Sequence, residues 1–214
     1  MTGFAPGLIE GVARQAIADD PRVSRETLDR LNAYVDALKT WQARINLVSS
    51  GTLETVWSRH ILDCLQLAFL VEEPKIWADL GSGAGLPGLI IACTFNNQSG
   101  HVHLVESNGK KVSFLRHVAG SLQLPVTVHD QRIEVAVATL PRIDIVTARA
   151  LADLDQLCAW TSLLLKSGTI GLFPKGRDYA RELTTAQESW HFSYELHQSL
   201  TDPNARIVRV SSFS

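Results

Sequence analysis

The segment Asp79-Leu80-Gly81-Ser82-Gly83-Ala84-Gly85-Leu86-Pro87-Gly88 limits the fold of this chain more than any other stretch. It follows a short apolar run, Ile76–Leu80, and opens a second one that continues to Phe95. Its glycines allow a sharp turn and a close approach of backbone to ligand, and Pro87 suits a first helical turn. A strand that passes into a helix through such a loop is where open α/β sheets bind their ligands.

The sequence around the loop agrees. After Pro74, the apolar runs Ile76–Leu80, Val102–Glu106, Val126–His129, Ile143–Thr147 and Thr169–Phe173 alternate with amphipathic stretches such as Lys111–Leu122 and Leu154–Leu165. That alternation predicts βαβ units and a mostly parallel sheet covered by helices on both faces. Phe192–Leu196 and Ile207–Val210, joined by a Pro203-Asn204 turn, predict a terminal hairpin that gives the sheet an antiparallel edge strand. Before Val71 the chain reads as helical. Ser24 is a plausible N-cap, and Leu28, Leu31, Tyr34, Val35, Leu38 and Trp41 fall on one helix face. After Gly51, the residues Leu53, Val56, Trp57, Ile61, Leu65 and Ala68 predict another helix. The expected architecture is an N-terminal helical extension, 1–73, on a Rossmann-like, doubly wound α/β domain, 74–214, the two forming one structural unit.

Composition narrows the class. With 45% hydrophobic and 20% charged residues among 214, the chain has the make-up of a soluble enzyme, and its net charge of −2 argues against a broad cationic surface for nucleic acid. Cys64, Cys93 and Cys158 form no CxxC pair, so neither a disulfide framework nor a metal site is expected. Met1–Gln15 lacks a basic stretch followed by an apolar one, and Ile61–Val71 and Leu86–Phe95 are too short or too polar to span a bilayer. A cytoplasmic protein without a membrane or an obligate protein partner is expected, with monomer as the default.

Two cofactors fit the loop. Gly83-x-Gly85-x-x-Gly88 spells a dinucleotide fingerprint, with Glu106 at a distance suited to a ribose. The register opposes that reading, because the strand ends near Leu80, before the fingerprint opens. The charge opposes it too. Asp79 beside the loop would repel a pyrophosphate, whereas it would suit, directly or through water, the ammonium group of S-adenosylmethionine, a sulfonium cofactor without phosphate. Glu106, at the end of the second strand, can accept from both ribose hydroxyls. Ile133 could cover the adenine, with backbone groups or the Glu134 carboxylate reading its edge, although the segment also reads as an ordinary helix start.

The fourth strand ends in Thr147-Ala148-Arg149-Ala150. It lacks the Asn/Asp-Pro-Pro-aromatic run of exocyclic amine methyltransferases, and no cysteine stands where a carbon-5 pyrimidine enzyme needs its nucleophile. Guanine N7 needs neither, since its lone pair already points outward. Transfer to it removes no proton, so proximity, alignment and exclusion of water would carry the catalysis. No general base is expected, and Arg149 is the best candidate for positioning substrate or cofactor.

Six segments stand in one order: Trp41-x-x-x-Ile45-Asn46-Leu47, Arg59-His60-Ile61-Leu62-Asp63, Asp79 through Gly88, Glu106-Ser107-x-Gly109-Lys110-Lys111, Thr147-Ala148-Arg149-Ala150 and Pro174-Lys175-Gly176. Over nearly its whole length the chain resembles the G-type guanine-N7 methyltransferases of small-subunit (16S) ribosomal RNA, the glucose-inhibited division protein B family. The resemblance implies a class I methyltransferase sheet with a helical cap. It also implies S-adenosylmethionine contacts at Gly81, Leu86, Ile133, Glu134 and Arg149, and it places Glu106 at the acidic ribose position. Gly83 and Asp79 join them on the loop argument. Departures are small: Glu106 stands where Asp is common, Cys64 where Ser is frequent, and Pro174 where Leu is usual. Arg59, His60, Lys110, Lys111 and Lys175, with Arg116 and Arg177, are the candidates for RNA contact. The chain's mild acidity leaves little charge for indiscriminate binding, so the expected substrate is RNA within a small subunit or an assembly intermediate.

Overall fold

The structure, a computed structural model, describes residues 10–73, 75–95 and 100–214. Most of Met1–Gln15 and the Pro74 boundary therefore lie outside the described residues. Helix α1 (Glu10–Ala18) leads to α2 (Arg25–Gln42), where the Ser24 side chain accepts from the Thr27 N–H as an N-cap. The inward face of α2 carries Leu31, Tyr34, Val35 and Leu38.

The single helix expected after Gly51 is instead wound three ways: a 3-10 helix (Ser50–Thr55), a π-helix (Trp57–Leu62) and α3 (Asp63–Phe69). Local hydroxyls and a distant carboxylate account for the change. Thr52 Oγ1 donates to the Ser49 carbonyl at 2.7 Å and Ser58 Oγ to the Thr55 carbonyl at 3.2 Å, competing with regular helix bonding. Glu10 of α1 accepts from the backbone N–H groups of Trp57 and Ser58 at 2.7 and 3.1 Å, fixing the start of the π turn.

The remaining elements are β1 (Ile76–Leu80), α4 (Gly88–Cys93), β2 (His101–Glu106), α5 (Gly109–Ser121), β3 (Val126–Asp130), α6 (Ile133–Val137), β4 (Ile145–Thr147), α7 (Leu154–Lys166), β5 (Ile170–Lys175), α8 (Tyr179–Ser189), β6 (Ser193–Gln198) and β7 (Arg206–Ser211). They form a seven-stranded sheet in the order β3-β2-β1-β4-β5-β7-β6. The first five strands of that order are parallel, and β7 runs antiparallel to both β5 and β6. The expected hairpin is present, with its second strand inserted and its first left at the edge. Pro174 is accommodated in β5 because β4 ends at Thr147, opposite Leu172, so the proline meets no ladder partner on that side.

Each sheet face has its own core. One, around Val102, Leu104 and Trp77, is shared with α2, α4 and α5; the other, around Ala78, Val105 and Val146, is shared with α6, α7 and α8. The N-terminal helices belong to the first core rather than sitting on its surface. Tyr34 packs edge-on to Phe114 at 6.4 Å, and its hydroxyl donates to the Ala84 carbonyl in the glycine loop at 2.8 Å.

That bond joins the extension to the loop. Tyr34→Phe leaves a buried carbonyl without its donor and is expected to lower stability by about 1–3 kcal/mol. Urea unfolding of the two proteins measures the difference.

Candidate active site

At the C-terminal end of β1 the chain turns through Gly81, Gly83 and Gly85 before α4 begins. Gly83 adopts φ +57°, a conformation L side chains rarely hold, and a Cβ there would have only the Gly81 carbonyl within 4 Å, at 3.8 Å. Backbone at this position therefore lies open to a ligand. Gly88 is small for the opposite reason: a Cβ would stand 2.2 Å from Leu104 Cδ2 and 2.8 Å from Asp79 Oδ2.

Asp79 sits on the central strand between Leu104 of β2 and Thr147 of β4, which encloses its carboxylate completely. Oδ2 accepts from the Gly88 N–H at 3.0 Å, and Oδ1 is buried without a partner. Burial pushes its pKa up to about 7. Direct contact with an ammonium group is closed to it here. Asp79 lies beneath the loop and anchors the start of α4.

Glu106 occupies the open side. Its Oε2 accepts from Gly83 N–H at 2.9 Å, while Oε1 accepts from the N–H groups of Ser107 and Asn108 at 2.9 and 2.8 Å. A carboxylate has about four lone-pair sites, so one remains on Oε2; holding both ribose hydroxyls would require releasing Gly83. Glu106 pairs in register with Asp130, and α6 begins three residues later at Ile133, bringing the expected adenine segment to the same sheet edge. Ile133 is half-buried, and the exposed Glu134 accepts from Trp160 Nε1 at 3.0 Å.

On the other side of β1, the loop after β4 places Leu151 against Gly81 and carries Arg149. The Arg149 guanidinium is a clamp. Nε pairs with Asp63 Oδ2 at 2.9 Å, and Nη2 donates to the Arg59 carbonyl at 3.1 Å and to His60 Nδ1 at 3.0 Å. Cys64 Sγ lies 4.0 Å from Nη1. Asp63 Oδ1 accepts in turn from Gln66 Nε2 at 2.9 Å and Thr201 Oγ1 at 2.8 Å, and Gln66 Oε1 accepts from the Leu200 N–H at 2.8 Å. The turn of the β6–β7 hairpin is thereby strapped to α3. Beside this network opens a cleft of about 680 Å³, whose lining includes Arg59, Arg149, Lys175 and Arg206.

These features fit S-adenosylmethionine: an open glycine backbone, a carboxylate with a remaining acceptor site, and a place at the β1–β4 switch point of the strand order. With no phosphate, that cofactor meets no repulsion from Glu106.

Compared with known proteins, residues 27–208 match the family model described as GidB, rRNA small subunit methyltransferase G. The chain belongs to that family. It is 52% identical over 202 residues to the ribosomal RNA small subunit methyltransferase G of Methylorubrum populi, covering 94% of this chain and 96% of the relative. The protein of the same name from Bartonella tribocorum is 45% identical over 204 residues, with 95% and 96% covered. Among solved structures, a methyltransferase from Geobacter sulfurreducens is similar in fold, with a TM-score of 0.58 over 98% of this chain and 99% of the other, at 13% identity. The architecture is the Rossmann-like class I methyltransferase sheet.

Against that family setting, the expected RNA contacts divide. Arg59 is exposed on the cleft wall. His60 is 8% exposed and bonded at both ring nitrogens, so it offers no group to RNA. Burial, followed by the charges of Arg149 and Arg59, pushes its pKa down to about 4. Lys175 lines the cleft, yet its ammonium pairs with Glu182 at 2.7 Å and donates to the Ala152 carbonyl at 2.6 Å; it supports the post-β4 loop and is not free for phosphate. Lys110 and Lys111 follow the Asn108 cap of α5 outside the cleft lining, and Arg116 and Arg177 are exposed. The sequence reading missed Gln66, Thr201 and Arg206. Gln66 had left a signal, as a polar residue interrupting the apolar run Ile61–Val71.

Asp79 has a pH signature. Its native pKa of about 7 lies above the ordinary 3.8, so the native state holds more protons than the unfolded chain between those values. Its contribution to stability then falls as pH rises from about 4 to 7. Asp79→Asn removes that titration. Chemical unfolding across the window is expected to show wild-type stability declining relative to the variant, and a constant difference would reject the assignment.

Proposed function

We propose that this chain transfers the methyl group of S-adenosylmethionine to N7 of a guanine in 16S ribosomal RNA. The observation that carries the reading is the junction of Gly83 with Glu106 beside the Arg149 clamp, in a chain matched from residue 27 to 208 by an rRNA methyltransferase family. When bound, the cofactor supplies an electrophilic methyl group. The Gly81–Leu86 backbone holds it, Glu106 accepts from a ribose hydroxyl, and Ile133 and Glu134 border the adenine. Arg149 marks the boundary between cofactor loop and cleft, where Arg59 and Arg206 meet the acceptor nucleotide.

N7 attacks through a lone pair in the plane of the base, and no proton leaves it. The protein's contribution is alignment and exclusion of water, which suits a site whose ionisable groups are tied to one another. His60 is neutral, Lys175 is paired, and Asp79 is enclosed. None is placed to act as a base. Among the described residues no helix is long and apolar enough to cross a membrane, and we place the enzyme in the cytoplasm. A chain of net charge −2 gains little from indiscriminate phosphate contact, so the substrate is RNA presented in a small subunit or an assembly intermediate.

Transfer of radiolabelled methyl to purified small subunits lacking the modification, followed by nucleoside analysis, is expected to yield 7-methylguanosine, with less label on protein-free RNA. Label in another nucleoside rejects the target atom, and equal label on both substrates rejects the assembly context. Glu106→Gln retains the shape but not the charge. It is expected to weaken S-adenosylmethionine binding about tenfold or more, since hydrogen bonds to charged groups contribute about 1.5–3 kcal/mol; calorimetry reads the change.

A further inference from the structure

The Arg149 guanidinium can only donate hydrogen bonds. Its contact with His60 Nδ1 at 3.0 Å therefore makes Nδ1 an acceptor and leaves the ring proton on Nε2. Nε2 stands 2.9 Å from Thr52 Oγ1. That hydroxyl already gives its own proton to the Ser49 carbonyl at 2.7 Å, so its oxygen accepts from His60. Every proton in the series is thus assigned, from the Ser49 carbonyl through Thr52 and His60 to Arg149. The series starts in the main chain ahead of the 3-10 helix, at Ser49, and ends at Arg149 in the loop after β4, about a hundred residues later in sequence.

We propose that His60 is a positioning residue: as a neutral ring with its tautomer fixed by Thr52, it sets the plane of the Arg149 guanidinium at the cofactor edge. The proposal rests on the reading of Arg149 as part of the cofactor site. Asp63 alone fixes one edge of the guanidinium, through Nε, and leaves the fork free to swing about that contact. His60 and the Arg59 carbonyl, both meeting Nη2, remove that freedom. A protonated ring would present a donor to a donor and a positive charge to a positive charge. Its burial, followed by the positive charges of Arg149 and Arg59, keeps it neutral. This gives a physical reason for the π-helix. Its wide turn presents the Arg59 carbonyl and His60 to the same guanidinium that Asp63, the first residue of α3 directly after it, meets through Nε.

The test uses two amides of different reach. His60→Asn places its carbonyl oxygen near the position of Nδ1 and keeps an acceptor for Arg149. His60→Gln reaches the position of Nε2 and leaves Arg149 without the acceptor at Nδ1. Calorimetric affinity for S-adenosylmethionine is the principal readout, with thermal unfolding measured on the same samples. His60→Gln is expected to weaken binding about tenfold and His60→Asn by no more than about threefold. Thr52→Val, which frees the tautomer, is expected to fall between them. Equal losses in the two amide variants, or affinities that merely follow melting temperature across all three, would overturn the proposal. Arg149→Lys separates the layers. If it binds cofactor as wild type does, the underlying reading of Arg149 fails and the relay with it. If it binds weakly while the amide variants match each other, only the relay fails. Methyl transfer to RNA is not needed for any arm, so a wrong RNA substrate would leave the test intact.

Discussion

The ion pair between Arg149 and Asp63 is the contact on which the site's organisation depends. Largely removing a guanidinium and a carboxylate from water is costly, and their mutual attraction offsets that cost only where the geometry is good and the remaining donors and acceptors are satisfied. Here they are. Asp63 receives Gln66 and Thr201 on its second oxygen, and Arg149 gives its remaining fork to the Arg59 carbonyl and His60. Three parts of the chain far apart in sequence meet at one pair of charges: the π-helix and α3, the loop after β4, and the turn between β6 and β7. Removing either partner strands the other charge in a poorly solvated place, which is why single losses at such pairs cost several times what the intact pair contributes.

A second tie brings the N-terminal helices into the same arrangement. Tyr34 donates to the Ala84 carbonyl inside the glycine loop, so α2 is tied to that loop while Leu151, from the loop after β4, stands against Gly81. The helical extension and the sheet thus share one core and one site. A boundary drawn at residue 73 marks a change of secondary structure more than a division of function.

Much of this was legible in the sequence, for identifiable reasons. β1 was bounded correctly at Ile76–Leu80 because an apolar run ended at the first glycine, and Ser24 was readable as a cap because a hydroxyl preceded a strong 3.6-residue pattern. Helix α8 was missed because its apolar stripe is narrow, with Leu183 and Ala186 its buried residues. The 3-10 and π windings were hidden because they depend on Glu10, a partner about fifty residues away, and on hydroxyls whose direction no spacing encodes. The surroundings of Asp79 and Lys175 were not legible, for one shared reason. Position at the C-terminal sheet edge was visible, but whether the side chain faced the opening or an internal partner was not.

That distinction bears on how an acidic chain approaches a polyanion. Arg149 and Lys175, two of the cations nearest the cleft, are neutralised by Asp63 and Glu182, and His60 is held uncharged. Arg206 gives its Nη1 to the carbonyls of Pro203 and Ala205 and lies 5.2 Å over the Tyr179 ring. Of the cations lining the opening, Arg59 is the exposed one. Such a rim holds a nucleotide by shape and a few directed contacts rather than by charge density, so long-range attraction would recruit little RNA on its own. Selectivity then falls to whatever presents the guanine in the right geometry. A flexible free strand would have to create that geometry at an entropic cost.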